Sequence, residues 1–424
     1  MRILFLTIGY PPTGLHGSAV YTRNMARALA DRGHEVHVLD CTDSWRNSSE
    51  VDEGVNVHRR RPKRVRGLNR LRGLLPSSTW AAVEARRQRW FDDRFLGDRA
   101  ARRVINAYQY YRAFRSLGLQ FDVVESPGAS LELFFGLFRP AALVVHLHTP
   151  AGFELALERE HLGWHARLAN EIDRTSANRA NVLTSGSRMM VQTLRNNGWL
   201  DSVEPVVVPL TMDTAPWSVI PSVKDTAPVV LTVGRLEFRK APEVLVEGAA
   251  RLRDQIQGLE VLFVGHMGRP HEYRARLVEL SRRLGAPCRF EDQVTDEQLF
   301  ARYASARVIA IPSRSESFSL AGLEAMAAGR PVVCTSRVGL AELVEGSGAG
   351  TVVKPDDPSA LAEALRPYLQ DPALAAEAGE RAREVVSTRL APARIAAERE
   401  AAYEEAISRW RRQRNGVPAL RSAG

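Results

Sequence analysis

The 424-residue sequence predicts an α/β protein built from two tandem Rossmann-like, doubly wound domains with an interdomain cleft. Three observations carry that expectation. At roughly 100–200 residues per domain, the length calls for two domains or three. Short, continuous apolar runs alternate with amphipathic stretches, the pattern of parallel strands covered on both faces. The series lapses once, in a stretch rich in Pro, Thr, Ser and Asp over residues 209–228, and then begins again.

The first series opens with Arg2-Ile3-Leu4-Phe5-Leu6-Thr7 as a strand, then a Gly/Pro loop, then a helix from about Ala19 to Arg32. Gly33 ends that helix, and Glu35 to Asp40 is a second strand. Further strands are expected at 122–124, 143–146, 181–184 and 206–208. The second series starts at Val229 to Gly234 and continues at 261–264, 289–290, 308–311, 332–334 and 351–353. The expected domains are residues 1–212 and 213–388, with a last helix over about 389–412 returning to the first domain. Ligands of such sheets bind beyond the carboxyl ends of the strands, so the cleft is the expected site.

Composition removes several classes of function. Hydrophobic residues make up 45% and charged residues 25%, which excludes a disordered chain and a collagen. Three scattered cysteines (Cys41, Cys288, Cys334) and no C-x-x-C pair argue against a disulfide scaffold or structural zinc, and fit a reducing cytoplasm. The longest apolar stretch, Leu131 to Val145, is interrupted by Glu132, Arg139 and Pro140, so no membrane span is expected. The run Ile3 to Ile8 reads as a first strand and not as a signal peptide. The loop after it is not G-x-G-x-x-G, which counts against a nicotinamide enzyme, and no P-loop is present.

The net charge of +9 is local. Residues 45–120 hold 18 basic and 7 acidic side chains, and the rest of the chain sums to −2. The densest run is Arg59 to Arg72, followed by Trp80, Trp90, Phe91 and Phe95 among Arg86, Arg87, Arg89 and Arg94. It reads as a solvated face, or as contact with an anionic partner: an acidic acceptor or an anionic membrane surface, which would make the protein peripheral to it. No nucleic-acid motif accompanies it. Arginine outnumbers lysine 54 to 4, so a lysine inside a motif carries weight; Lys240 is one.

The most informative stretch is Pro312 to Pro331. A strand leads into it and a helix over about 318–328 is apolar or small throughout, except at Glu324. A buried carboxylate needs donors. Either an arginine pairs with Glu324, or a hydroxyl-rich ligand such as a ribose donates to it. Glu316 precedes the helix, where unpaired N–H groups favour an anion.

Glu316 and Glu324, eight positions apart before Ala-Met-Ala-Ala-Gly-Arg-Pro-Val-Val, resemble the paired-glutamate motif of retaining glycosyltransferases of family 4, which have the two-domain GT-B fold. The loop Val233 to Lys240 resembles that family's diphosphate-binding loop, Arg32 to Val36 the end of its first helix, His146 to Pro150 its reaction-centre segment, and Arg383 to Tyr403 its closing helices. The resemblance implies a nucleotide-diphosphate-sugar donor and a separate sugar acceptor. Arg235 and Lys240 would neutralise the diphosphate, assisted by the N–H groups of Phe318, Ser319 and Leu320. Glu316 would hold donor-sugar hydroxyls and Glu324 the ribose. His148 would lie near the anomeric carbon, Gly17 would admit the sugar diphosphate, and the backbone at Val294 would meet the base. His148, Glu316, Arg235 and Lys240 are thus the implied catalytic set. No D-x-D motif is present, so the resemblance implies neither a metal nor another cofactor. The sequence departs from the family at Ser317, Ser319, Ala241 and Asp292, each replacing a usual glycine, and at Leu210-Thr211, replacing Asn-Gly. A GT-B nucleotide-sugar epimerase and a non-catalytic nucleotide-sugar-binding protein are the alternative readings.

Overall fold

The computed structural model describes residues 1–12, 17–42, 47–61, 97–150, 164–200, 204–265 and 271–415. The first half runs β1 (Arg2–Thr7), α1 (Gly17–Asp31), β2 (Glu35–Asp40), β3 (Ser48–Asp52), β4 (Val55–Arg59), α2 (Gly97–Leu117), β5 (Val123–Ser126), α3 (Leu133–Phe138), β6 (Ala142–Leu147), α4 (Trp164–Ala177), β7 (Val182–Ser185), α5 (Arg188–Asn196) and β8 (Val206–Val207). These strands form one sheet in the order β3-β4-β2-β1-β5-β6-β7-β8, parallel except at the edge pair β3 and β4. Strand β1 is apolar without alternation because both faces are covered. Ile3 and Phe5 pack on the side of α1, while Leu4 and Leu6 pack with Tyr110 and Phe114 of α2.

The second half begins with the short helix α6 (Ala215–Ser218) and continues β9 (Val229–Val233), α7 (Pro242–Leu252), β10 (Glu260–Val264), α8 (His271–Leu284), β11 (Cys288–Glu291), α9 (Asp296–Ser305), β12 (Val308–Ile311), α10 (Leu320–Ala327), β13 (Val332–Thr335), α11 (Ala341–Val344), β14 (Gly350–Val353), α12 (Pro358–Gln370) and α13 (Pro372–Arg389). Its sheet is all parallel, in the order β11-β10-β9-β12-β13-β14. In both sheets the order reverses beside the first strand, between β1 and β5 and between β9 and β12. These two reversals are the topological switch points where ligands of such sheets bind.

The last helix, α14 (Pro392–Asn415), crosses back and packs on α1, β6 and β7. Two of its polar residues are fully buried there, Arg399 and Tyr403. Thr211 sits where the first half ends, and its Oγ donates to the Leu390 carbonyl at 2.6 Å, tying the outgoing link to the returning one. The halves also touch at α5. Ser187 Oγ donates to the Ser317 carbonyl (2.8 Å), and the Met189 N–H donates to the Glu342 carboxylate (2.6 Å). Gly339 is required at this contact, since a Cβ there would lie 2.1 Å from the Ser317 carbonyl oxygen. Among the described residues no helix is long and apolar enough to cross a membrane.

The hairpin of β3 and β4 is absent from the sequence reading, which treats its end as the start of a basic run. Val55 and Val57 point into the core and Gly54 makes the turn at φ 82°. The last residue of β4 corrects the reading of Arg59 as part of a free basic face. Its guanidinium donates to the carbonyls of Tyr10 (3.1 Å) and Pro11 (2.9 Å) and pairs with Asp40 and Glu50. It thereby clamps the Gly/Pro loop after β1, whose Tyr10 N–H is also held by Asp40 at 2.9 Å. The remainder of that run from Pro62, and the aromatic and basic residues from Trp80 to Phe95, lie outside the described residues.

Candidate active site

The site is built on the loops that leave β9 and β12 at the second switch point. Loop 234–240 ends in a 3-10 turn, Phe238–Lys240, and loop 312–319 leads into α10. Two arginines rivet one loop to the other. Arg239 donates to the Ser315 carbonyl (3.0 Å), and Arg314 donates to the Phe238 carbonyl while stacking on its ring at 3.7 Å. The Arg314 N–H adds a bond to the Arg239 carbonyl at 2.8 Å. Neither arginine was singled out from the sequence, where each is one among 54.

This frame brings Lys240 Nζ to 2.6 Å from Glu316 Oε1. Ser313 Oγ donates to the other Glu316 oxygen at 3.0 Å. Burial works to raise the Glu316 carboxyl, but Lys240 and Arg239 outweigh it and hold it below the ordinary carboxylate range. The same burial lowers the Lys240 ammonium against the pull of Glu316. The result is a preorganised ion pair, with a cation whose remaining donors can turn to a ligand.

Beyond Glu316 the chain enters α10. The N–H groups of Phe318, Ser319 and Leu320 find no acceptor among the described residues, as expected at a helix start. Ser319 caps the helix, its Oγ accepting from the Gly322 N–H at 3.2 Å. Its backbone stands at φ 110°, a conformation that favours glycine. Ala241, at φ 51°, is likewise left-handed. Of the four glycine departures only these two fall where an L-residue is strained, by an order of 1–3 kcal/mol each. Asp292 and Ser317 do not. Asp292 instead faces Arg274 at 3.7 Å.

Glu324 sits one turn further along α10. Its partner is not an arginine: Tyr303 Oη of α9 donates to Oε2 at 2.8 Å. Burial pushes the Glu324 carboxyl up to about 7, with the tyrosine bond opposing. Tyr303 is fixed in turn by the fully buried Arg330, which donates to the carbonyls of Tyr303 and Ala304 (both 2.8 Å) and of Pro221 (2.7 Å). Tyr303, Ser313 and Arg330 hold the candidate carboxylates in place and were not singled out from the sequence. Arg330 alone left a signal, as a cation inside an apolar run that must find acceptors.

The remaining candidates are placed as follows. Arg235 is 57% exposed in its side chain and, among the described residues, pairs only with Glu237, at 3.3 Å, so it is a loose cation at the mouth of the site. Val294 lies between β11 and α9, half-buried against the core. Gly17 starts α1, two residues earlier than the sequence suggested, and a Cβ there would stand 3.6 Å from Leu320. The first half therefore reaches the start of α10. His148, just past β6, packs edge-on against Tyr21 (5.3 Å) and His146 (4.8 Å).

Beneath His148 lies a polar network with no counterpart in the sequence reading. Tyr21 and Tyr403 each donate to Glu125, at 2.6 and 2.5 Å, and Arg399 stands 3.6 Å from the same carboxylate. His146 stacks on Tyr21 at 4.4 Å and lies 3.3 Å from Arg399 through Nδ1. Burial, then Arg399, then His148 drive the His146 imidazole well below its ordinary value, so it is neutral. Because Arg399 can only donate, Nδ1 accepts and the proton resides on Nε2.

Two family descriptions match. "Glycosyl transferase 4-like domain" covers residues 16–211 and "Glycosyl transferases group 1" covers 214–385. Glycogen synthase of Mycobacterium tuberculosis is 28% identical over 399 residues, spanning 91% of this chain and 90% of the relative. D-inositol 3-phosphate glycosyltransferase of Corynebacterium efficiens is 39% identical over 151 residues, about a third of each chain (34% and 35%). Sucrose-phosphate synthase from Thermosynechococcus elongatus superposes with a TM-score of 0.74 at 20% identity, over 96% of this chain and 99% of that one. Anabaena HepE in complex with UDP and glucose gives 0.68 at 19%, over 95% and 99%. These matches and the paired switch points define the class: the chain is a glycosyltransferase of the GT-B fold.

Proposed function

We propose that this glycosyltransferase moves a hexosyl group from a nucleotide-diphosphate sugar to an acceptor with retention of anomeric configuration, as a member of family 4. The observation that carries the reading is the Lys240–Glu316 pair (2.6 Å) beside the unpartnered N–H groups that open α10. Departure of a nucleoside diphosphate develops negative charge, and fixed cations and helix-terminus N–H groups stabilise it without reorganising. Lys240 and Arg235 supply the cations, and Phe318, Ser319 and Leu320 the N–H groups. Glu316 accepts from donor-sugar hydroxyls, Glu324 from the ribose, and the backbone at Val294 meets the base. Gly17 admits the sugar diphosphate, and His148 lies by the anomeric carbon. With no covalent nucleophile singled out, leaving phosphate and incoming hydroxyl share one face of the sugar. The acceptor, a small metabolite, polysaccharide or lipid, sits mainly on the first half of the chain, residues 1–212. The donor sits on residues 213–388.

HepE is described in complex with UDP-glucose, which makes that sugar the first donor to test. Thermal-shift screening against UDP-, GDP- and ADP-sugars should raise the melting temperature for one base class, since ligand bound to the native state stabilises it. No shift with any of them overturns the donor site. Transfer should persist in excess chelator; loss that magnesium or manganese restores would show that the two cations do not suffice. Turnover of donor without acceptor to an epimerised nucleotide sugar would establish the epimerase reading instead.

Glu324 adds a pH test. A ribose hydroxyl needs the carboxylate as acceptor, and this carboxyl titrates near 7. Donor affinity should therefore climb as pH rises through neutrality, by at most about tenfold per unit. Calorimetry on Glu324→Gln should give weak binding with a flat profile. Wild-type affinity in Glu324→Ala would remove the ribose role.

A further inference from the structure

Helices α2, α3 and α4 pack together on the outer face of the first sheet and leave an unusual surface. At 100° per residue, Ala107, Tyr110 and Phe114 of α2 turn inward, and Val104, Ile105, Tyr108, Arg112 and Arg115 share one outward sector of about 100°. A solvated helix face carries mixed charges; this one carries apolar groups and arginine. Across it, Tyr108 meets Phe134 of α3 at 5.7 Å, Phe134 meets Phe138 at 6.1 Å, and Phe138 meets Tyr111 of α2 at 5.1 Å. Phe138 is 61% exposed, Tyr108 48% and Leu137 47%. A joined apolar patch of this kind marks an interaction surface.

Its rim is cationic. Arg112, Arg115 and Arg179 are exposed and have no ion-pair partner among the described residues. Arg179 lies directly against α3, where a Cβ on Gly136 would stand 2.9 Å from its own Cβ. The described carboxylates of the same helices are already used: Glu171 pairs with Arg174, and buried Asp173 pairs with Arg103. A second copy docked by a two-fold axis would set arginine against arginine over this patch.

We propose that this face is a docking surface for an anionic lipid bilayer, with Phe138, Leu137 and Tyr108 entering the interfacial zone and Arg112, Arg115 and Arg179 meeting headgroup phosphates. Both components are needed for peripheral attachment, apolar insertion for depth and arginine for selection of the anionic surface. The assignment is independent of the sugar chemistry and uses residues other than the Arg59–Arg72 run.

Vesicle sedimentation tests it with the full chain. Vesicles with one-third phosphatidylglycerol in phosphatidylcholine should bind the protein at low salt, with pure phosphatidylcholine binding at least ~10-fold less and high salt releasing it. The double variant Leu137→Ser/Phe138→Ser should lower partitioning about 10-fold, and Arg112→Glu/Arg115→Glu should abolish preference for the anionic lipid. Both variants alter exposed side chains, so their melting temperatures should match the wild type. Equal binding to both vesicle types, or none to either, overturns the proposal. So does a concentration-dependent dimer in sedimentation velocity that the same substitutions dissolve, since the patch would then belong to a second copy.

Discussion

Lys240→Ala is expected to lower turnover at least ~100-fold, about 2.7 kcal/mol on the transition-state scale. The ammonium is the half-buried cation of the donor loop that pairs directly with Glu316 at 2.6 Å, and it has no lysine neighbour to replace it. Arg235 is too exposed to compensate, because water screens what a loose side chain contributes. Two effects follow from the deletion. Charge stabilisation of the departing diphosphate is lost, and Glu316 is left buried with Arg239 as the nearest remaining cation. The carboxyl then rises under burial with less opposing charge, which weakens it as an acceptor for sugar hydroxyls. Lys240→Arg should recover part of the rate, since charge is restored but a planar fork replaces a point donor. Single-turnover rates at saturating donor, compared with donor affinity by calorimetry, separate the two effects. Full turnover in Lys240→Ala would remove the diphosphate role.

How far the sequence reaches depends on what each residue interacts with. Strands such as β1 and β12 were legible because burial on both faces demands an uninterrupted apolar run, a local signal. Lys240, Glu316 and Glu324 were legible as polar residues in conspicuous places, beside a strand end or inside an apolar helix. Their partners were not. Tyr303 reaches Glu324 from 21 residues away and Arg314 reaches Phe238 from 76, and nothing in local pattern encodes such distances. Of the two partners open for Glu324 in the sequence, an arginine or a hydroxyl-rich ligand, the arginine is not found: the Tyr303 phenol supplies a hydrogen bond without a second buried charge. The β3–β4 hairpin was obscured by charge, since four exposed residues in β3 and the arginines after β4 mask the Val55–Val57 alternation. The strain at Ser319 and Ala241 is a backbone property that the sequence registers only as a missing glycine.

The network under His148 carries the second large effect, this time on stability. Arg399→Met should cost about 3–5 kcal/mol, because it leaves the Glu125 carboxylate buried without its cation. That corresponds to a melting temperature lower by roughly 6–20 °C for a domain of this size. Methionine keeps the packing volume, so the loss reports charge and not a cavity. Glu125→Gln in the same chain should return part of it, since an amide needs no cation: its one oxygen still accepts from one of Tyr21 and Tyr403, and its NH2 donates to the other phenol oxygen. The pH dependence gives a separate signature. His146 is neutral when folded but protonates near its ordinary value, about 6.5, when unfolded. The unfolded chain therefore binds the extra proton, and wild-type stability falls as pH drops below about 6.5. Without Arg399 the His146 imidazole moves back toward its ordinary value, the proton difference shrinks, and this acid-side slope flattens. Denaturant titrations of wild type and Arg399→Met at pH 5, 6 and 7 measure both quantities together (at most about 1.4 kcal/mol per pH unit for one histidine). An unchanged slope with a lowered midpoint would mean that Arg399 supports the fold through Glu125 alone, and that the histidines beside Tyr21 are set by burial and by each other.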